Sequence, residues 1–248
     1  MTPREQTEEG PRKAFEQVFG HVLHLIVTFR ILPGETLYET TLAAELNLSR
    51  TPVQHALTRL VTEGFLERPR GTRGYRMPRL SPEDMRDVFL AREVVEGTAT
   101  ALAAARATKE DVRRLREINA QELALLGDGA WQAYVQANDD FHLTLVRIGG
   151  NRYLEKIFLP LYWRSQLYVH YLTDFHFLPR EELLRGDRPH VSPREHAQIV
   201  DAVEARNEAL ARDRAVEHLR QTLAYRLSRD AERAARIFVA PQPRESTA

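Results

Sequence analysis

Cysteine is absent from all 248 residues, and that one absence removes disulfides, thiolate metal sites and cysteine nucleophiles together. No stretch reaches the roughly 18 consecutive apolar residues that a membrane helix needs, so no span is expected. The opening run, MTPREQTEEGPRKAF, lacks the apolar segment of a signal peptide, which makes a cytoplasmic protein the expectation. Enzyme signatures are missing as well. There is no HExxH pair, no Gly-rich phosphate loop and no serine elbow. Formal charge balances at +0, so a segment of strong local charge is the exception in this chain. Past residue 80 no apolar/polar alternation of strand quality appears. What is present is a 43% hydrophobic composition, enough for a sizeable core in one or two domains.

Residues 33–66, PGETLYETTLAAELNLSRTPVQHALTRLVTEGFL, carry the densest local signals. Pro33-Gly34 punctuates a turn, and Leu42, Ala43 and Leu46 mark a short apolar helix face. Asn47-Leu48-Ser49 breaks that pattern, with Ser49 placed to cap a helix beginning at Arg50. This second helix sets Val53, Ala56, Leu57, Leu60 and Val61 on one side and Arg50, Thr51, Gln54, Thr58 and Arg59 on the other. Gly64 follows as a C′ glycine. Two short helices around a tight turn, the second with a polar outer face, predict a helix-turn-helix. Residues 65–77 then predict a hairpin, a wing, around an Arg/Gly tip. Between residues 50 and 80 seven arginines face two acids, a local excess that suits phosphate binding.

The remaining periodicity is helical. An amphipathic helix is expected over 12–30, with Phe15, Val18, Phe19, Val22, Ile26 and Phe29 as its stripe. Further helices are expected over 82–106, 109–125, 129–148, 151–177, 192–205 and 208–237, with a loop at 178–191. The fold class is therefore mainly α: an N-terminal winged helix-turn-helix followed by an all-α antiparallel helical bundle. The expected domains are a disordered tail (1–11), the DNA-binding domain (12–78), a linker (79–82) capped at Ser81, the helical domain (83–238) and a second disordered tail (239–248). In the bundle Asn138 and His142 share a helix face, and His196 and His218 lie on later helices. Three imidazoles and an oxygen, from Asn138 or from Asp139, make a metal site compatible with Zn²⁺ or Ni²⁺, and with Mn²⁺ through the oxygen.

Leu42-Ala43, Ser49-Arg50-Thr51-Pro52-Val53, Ala56-Leu57, Arg59-Leu60, Glu63-Gly64 and Arg73-Gly74 resemble the winged-helix domain of GntR-family transcriptional regulators. SRTPVxxALxxLxxEG is similar to the FadR subfamily, whose C-terminal domain is all-helical. NDDFHLTLVRIGGN (138–151), EHAQIVDAV and His218 resemble the metal-binding version of that domain, and the match spans 12–237. Two departures stand out. Gln54-His55 replaces the Arg-Glu usual in the family, and glutamine favours adenine where arginine favours guanine, so a changed operator is expected. Asn138 replaces an aspartate, which weakens the oxygen ligand.

The resemblance implies a homodimer on a near-palindromic double-stranded DNA operator, with no membrane role. Arg50, Thr51 and Gln54 would read bases, with Ser49 and Thr58 nearer the phosphates; Pro52 and Arg59 belong to the same DNA-binding set. Arg70, Gly71, Arg73 and Gly74 would place the wing. It also implies a small organic-acid effector in the bundle, held with the metal that Asn138, His142, His196 and His218 would bind; Arg92 and Arg147 are candidates for its second contact, because a guanidinium fork meets a carboxylate bidentately. Two other readings remain: a ligand-free DNA-architectural protein, and a helical metallohydrolase. The absent general-base motif weighs against the second.

Overall fold

The computed structural model describes residues 3–27, 30–126, 130–171 and 192–229. Helix α1 runs Pro3–Val27 and buries Val18, Val22 and Ile26 along one stripe. The expected disordered tail is thus corrected, since residues 3–11 continue the helix. Pro3 suits the first helical position and the Arg, Glu and Gln residues after it have good helix propensity, a signal that apolar periodicity does not carry. Phe29, the 178–191 loop and both helix ends beyond 171 and 229 fall outside the described residues, as does the 239–248 tail.

Strand β1 (Thr36–Leu37) precedes α2 (Glu39–Glu45) and α3 (Arg50–Thr62). The turn between α2 and α3 passes through Asn47 in the left-handed region, φ 53°. Leu48 N–H donates to Ala43 O at 2.9 Å, closing the α2 end as the six-to-one bond of a Schellman turn. Helix α3 stops the same way: Gly64 adopts φ 83°, and Phe65 N–H donates to Leu60 O at 2.9 Å. The wing strand β2 (Tyr75–Arg76) pairs antiparallel with β1, Leu37 opposite Tyr75. Glu67 bridges to Arg76 from the other side, so the expected hairpin closes through one bridge rather than a full strand. Pairing with β1 was not expected, because two residues are too few for a periodic signal.

Six helices follow in the described residues: α4 (Pro82–Arg106), α5 (Lys109–Leu125), α6 (Trp131–Ile148), α7 (Arg152–Tyr171), α8 (Ser192–Glu204) and α9 (Glu208–Arg229). Ser81 caps α4 by accepting from Asp84 N–H at 3.1 Å, with Pro82 at the first position. Thr108 and Asp111 form a capping box on α5. Helix α4 packs along α9 and is flanked by α6 and α7, while α5 packs on α6 and α8. One apolar cluster inside the bundle joins Leu115, Ile118, Phe141, Leu145, Ile199 and Val200. A larger one runs from the winged helix into the bundle, where Leu167, Tyr168, Tyr171 and Leu219 join Val18, Leu57, Leu60 and Phe89.

Helix α7 makes several of the contacts between the two halves. Phe65 stacks on Trp163 with ring centroids 5.1 Å apart. A Cβ on Gly64 would stand 2.6 Å from Pro160 O, so only glycine permits this approach. Tyr171 OH donates to Ile31 O at 2.6 Å. Arg164 bonds both Asp84 Oδ2, at 2.9 Å, and Arg79 O, at 3.0 Å, so the segment 79–82 is docked rather than loose.

Candidate functional site

The outer face of α3 is built as periodicity requires. Val53, Ala56, Leu57 and Leu60 are completely buried, and Arg50, Thr51, Gln54, Thr58 and Arg59 are exposed. Ser49 occupies the N-cap position with φ −71° and ψ 159°, yet its hydroxyl makes no capping bond. The expected cap is therefore positional only, and the hydroxyl stays on the exposed side. Pro52 sits in the first helical turn, where its missing N–H costs nothing. Arg59 is ion-paired with Glu63 one turn later. Arg50 Nη2 lies 3.4 Å from Glu39 Oε2, and Tyr75 OH donates to Glu39 Oε1 at 3.3 Å. Thr58 Oγ1 is 3.3 Å from that same phenol. One carboxylate thus ties α2, the start of α3 and the wing strand. Sequence reasoning did not single out Glu39.

At the wing tip Arg68, Arg70, Gly71 and Arg73 are exposed, and Arg68 lies over the Tyr75 ring at 5.2 Å. Gly74 takes φ 93°, and a Cβ there would come within 2.8 Å of Leu37 O. The tip can approach a sugar-phosphate backbone closely because its glycines lack that atom.

In the bundle the three histidines converge. His142, His196 and His218 are all buried, and one ligand atom from each lies within 4.8 Å of the others. Each ring is held at Nδ1 by a carboxylate: His142 by Glu96, His196 by Glu122 at 2.7 Å and His218 by Glu195 at 2.7 Å. Such partners orient imidazoles and raise their basicity toward a metal, leaving Nε2 as the ligand atom. His142 is depressed from its ordinary pKa, first by burial, against the opposing pull of Glu96. Neutral imidazole is the ligating form, so donor set and protonation state both fit a divalent cation. His196 also stacks on Phe141 at 4.0 Å, which fixes its plane.

Asn138 lines the same cavity as His142 and His218. Its amide donates to Tyr162 OH at 3.1 Å, and that phenol donates to Asp139 Oδ1 at 2.6 Å. Asp139 is thereby engaged toward α7 and stands outside the histidine cluster. Burial raises its pKa to about 7 against the lowering effect of the Tyr162 and Asn138 bonds.

The two arginine expectations need correction. Arg92 reaches the cavity wall, but its Nε and Nη2 both donate to Glu96 Oε2, at 3.1 and 2.6 Å. Its Nη1 donates to Ser165 Oγ at 2.8 Å, so its fork is already filled by protein. Glu96 is held well below the usual carboxylate range: burial alone would raise it, and Arg92 with His142 outweighs that. Arg147 is solvent-facing, 63% exposed, and lies 3.7 Å from Glu155. Five residues turn a helix about 140° away from the His142 direction, so it does not reach the cavity. Arg226 does: it is 3% exposed and lines the cavity with Thr222 and Tyr134. Sequence reasoning missed Arg226; its spacing from His218 and Thr222 at i, i+4, i+8 is the signal that could have found it.

The cavity measures about 40 Å³. A single water needs roughly 10–15 Å³, so the space suits an ion and a small molecule. No helix among the described residues is long and apolar enough to cross a membrane.

Comparison with known proteins agrees with both halves. Residues 14–75 match the profile of bacterial regulatory proteins, gntR family, and residues 87–221 match the FCD domain. The Nta operon transcriptional regulator of Aminobacter aminovorans is 33% identical over 132 residues, which are 53% of this chain and 62% of that protein. The Uxu operon transcriptional regulator of Escherichia coli K12 is 27% identical over 236 residues, 86% of this chain and 87% of that one. The solved structure of E. coli McbR/YncC shares the fold, with TM-score 0.70 and 22% identity over 87% of this chain and 98% of that one. With a winged helix followed by an FCD bundle, the chain belongs to the GntR family of transcriptional regulators, in its FCD-containing, FadR-like subfamily.

Proposed function

We propose that this regulator binds an operator as a homodimer and that a small carboxylate, held with a divalent metal in the bundle cavity, sets its operator affinity. The observation that carries this reading is the trio of buried histidines, each tethered at Nδ1 by its own carboxylate, two of them lining a cavity. Buried imidazoles oriented in this way are arranged as ligands. Zn²⁺ or Ni²⁺ fits three nitrogens best, and Mn²⁺ fits if Asn138 adds an oxygen. When bound, the metal would act as a Lewis-acidic anchor for a carboxylate oxygen.

On the DNA side Arg50, Thr51 and Gln54 meet base edges from the α3 N-terminus, and Arg70 and Arg73 meet the adjacent groove or backbone. Dimerisation is assigned to the outer face of α4 and α7. Between Asp87 and Arg106 the exposed positions of α4 carry no charge, and Leu90 and Val94 stand open there, as do Tyr153 and Ile157 on α7. Helix α7 connects the sites: Ser165 bonds Arg92 beside the cavity, while Trp163 and Tyr171 touch the winged helix. A coupling of roughly 1–3 kcal/mol would change operator affinity about 5–150-fold.

Elemental analysis of untagged protein purified without chelators tests the metal. About one Zn, Ni or Mn per chain is expected, and the double variant His142→Ala/His196→Ala should lose it while still binding DNA. Metal content unchanged by that double substitution would place the ion elsewhere and sink the reading.

A further inference from the structure

Helix α3 turns about 100° per residue, so its buried residues fix which way every other side chain faces. Val53, Ala56, Leu57 and Leu60, all completely buried, define its inner line. Around the helix axis, Thr51 and Thr62 stand about 10° from the line directly opposite, and His55 and Thr58 about 30° from it. Gln54 and Arg59 stand about 70° away and Arg50 about 110°, on the flanks. The outward stripe is thus Thr51, His55, Thr58 and Thr62, and all four are exposed. Sequence reasoning left His55 out of the DNA-binding set and placed its neighbour Gln54 in it.

Several groups on this surface are already engaged. Arg50 leans on Glu39, and Arg59 pairs with Glu63 one turn on. Thr58 Oγ1 lies 3.3 Å from the Tyr75 hydroxyl, and Thr62 Oγ1 donates to Thr58 O at 3.1 Å. The imidazole of His55 makes no hydrogen bond or ion pair among the described residues. It is a short, rigid side chain one turn beyond Thr51, so docking that brings Thr51 and Gln54 to base edges carries His55 into the same groove.

We infer that His55 is a base-reading residue of α3, donating from its ring N–H to the acceptor edge of a guanine in the major groove, and that it sets one position of each operator half-site. This rests on the reading of α3 as the recognition helix. An imidazole carries at least one N–H in either protonation state, so the donor is always present. Guanine offers two adjacent acceptors in the major groove, O6 and N7. Adenine presents a donor beside N7, a pattern matched by an amide such as that of Gln54. The two neighbouring residues thus carry different base preferences.

The test is parallel selection of binding sites from random-sequence double-stranded DNA by full-length wild type, His55→Ala, His55→Gln and Gln54→Ala, all at the same salt concentration. Wild type should select a motif with a preferred G·C pair in each half-site that His55→Ala makes indifferent, while the other positions keep their preferences. His55→Ala should also bind the wild-type operator about ten-fold or more weakly. In His55→Gln the preference at that same pair should move toward A·T. Helical circular dichroism should be unchanged in all three variants, because both side chains are outside the core. A motif unchanged in His55→Ala but altered in Gln54→Ala overturns the role of His55 and leaves the recognition helix standing. Equal weakening on every sequence, with the motif intact, makes His55 a phosphate contact and overturns base reading. Preference lost at an A·T pair overturns the guanine assignment. No motif from wild type, or one unchanged in both alanine variants, removes α3 as the reader and this inference with it.

Discussion

Arg50 does not stand alone at the start of α3. Its guanidinium leans on Glu39, whose carboxylate is in turn held by Tyr75. An exposed ion pair of this kind contributes little to folding, about 0–1 kcal/mol, so its consequence belongs to recognition. The carboxylate limits where the guanidinium can point and places a negative charge close to incoming phosphates. Glu39→Gln should therefore have opposite effects on two quantities. Affinity for random DNA should rise, because a repulsive charge is gone. Discrimination between a selected operator and random DNA should fall, because Arg50 is no longer oriented. Parallel binding titrations at fixed salt measure both, and a variant with unchanged discrimination would mean that Glu39 is only a surface partner. Histidines 142, 196 and 218 were legible as candidates from their helical positions; their carboxylate partners were not. Glu96 reads locally as a partner of Arg92 at i+4, and that pair does form, but buried and shared with His142. Glu122 continues the buried stripe of Val112, Leu115 and Ile118, a signal that is visible only once α5 is known to face α8.

At the scale of elements, the helices of the bundle were readable from their helical period, and α4 and α5 also from their start signals. Ser81 and Thr108 cap α4 and α5 where local rules put them. Elements made by pairing were not readable, and β1 exists only because β2 and Gly74 lie against it. Helix α7 shows the same division. Its period announces a helix, but the sequence does not say that one side lines the cavity through Gln166 and Val169 while the other carries the winged helix. The bond from Tyr171 OH to Ile31 O spans 140 positions in sequence. Tyr171→Phe removes it and should lower stability by about 0.5–1.5 kcal/mol in urea denaturation. The same variant should shrink the difference in operator affinity between zinc-loaded and metal-free protein, with zinc stoichiometry kept. An undiminished difference would remove α7 from the path between the sites.

At the scale of the molecule, two recognition helices are needed to read a near-palindrome, and a single chain supplies one. The outer face of α4 and α7 is the surface assigned to pairing, and Val94, 64% exposed, is near its middle on α4. Val94→Glu should leave the monomer folded, because that side chain is outside the core. It should convert dimer to monomer in light scattering, and operator affinity should drop as the two half-sites bind independently. A dimer that survives Val94→Glu would move the interface to another face. The continuous core between winged helix and bundle gives the monomer one cooperative body on which such a surface can be rigid.

Sequence alone determined the helix-turn-helix, the boundaries of α4, α5 and α8 to within a residue, and the three histidines, because capping, glycine conformation and helical period are properties of a few neighbouring residues. Tertiary structure alone decided which charges meet. It sent Arg147 to solvent, closed the fork of Arg92 on Glu96, brought Arg226 to the cavity and gave each histidine a carboxylate from elsewhere in the bundle. Those outcomes depend on how helices rotate and pack against one another, and period within one helix does not specify the face its neighbour presents.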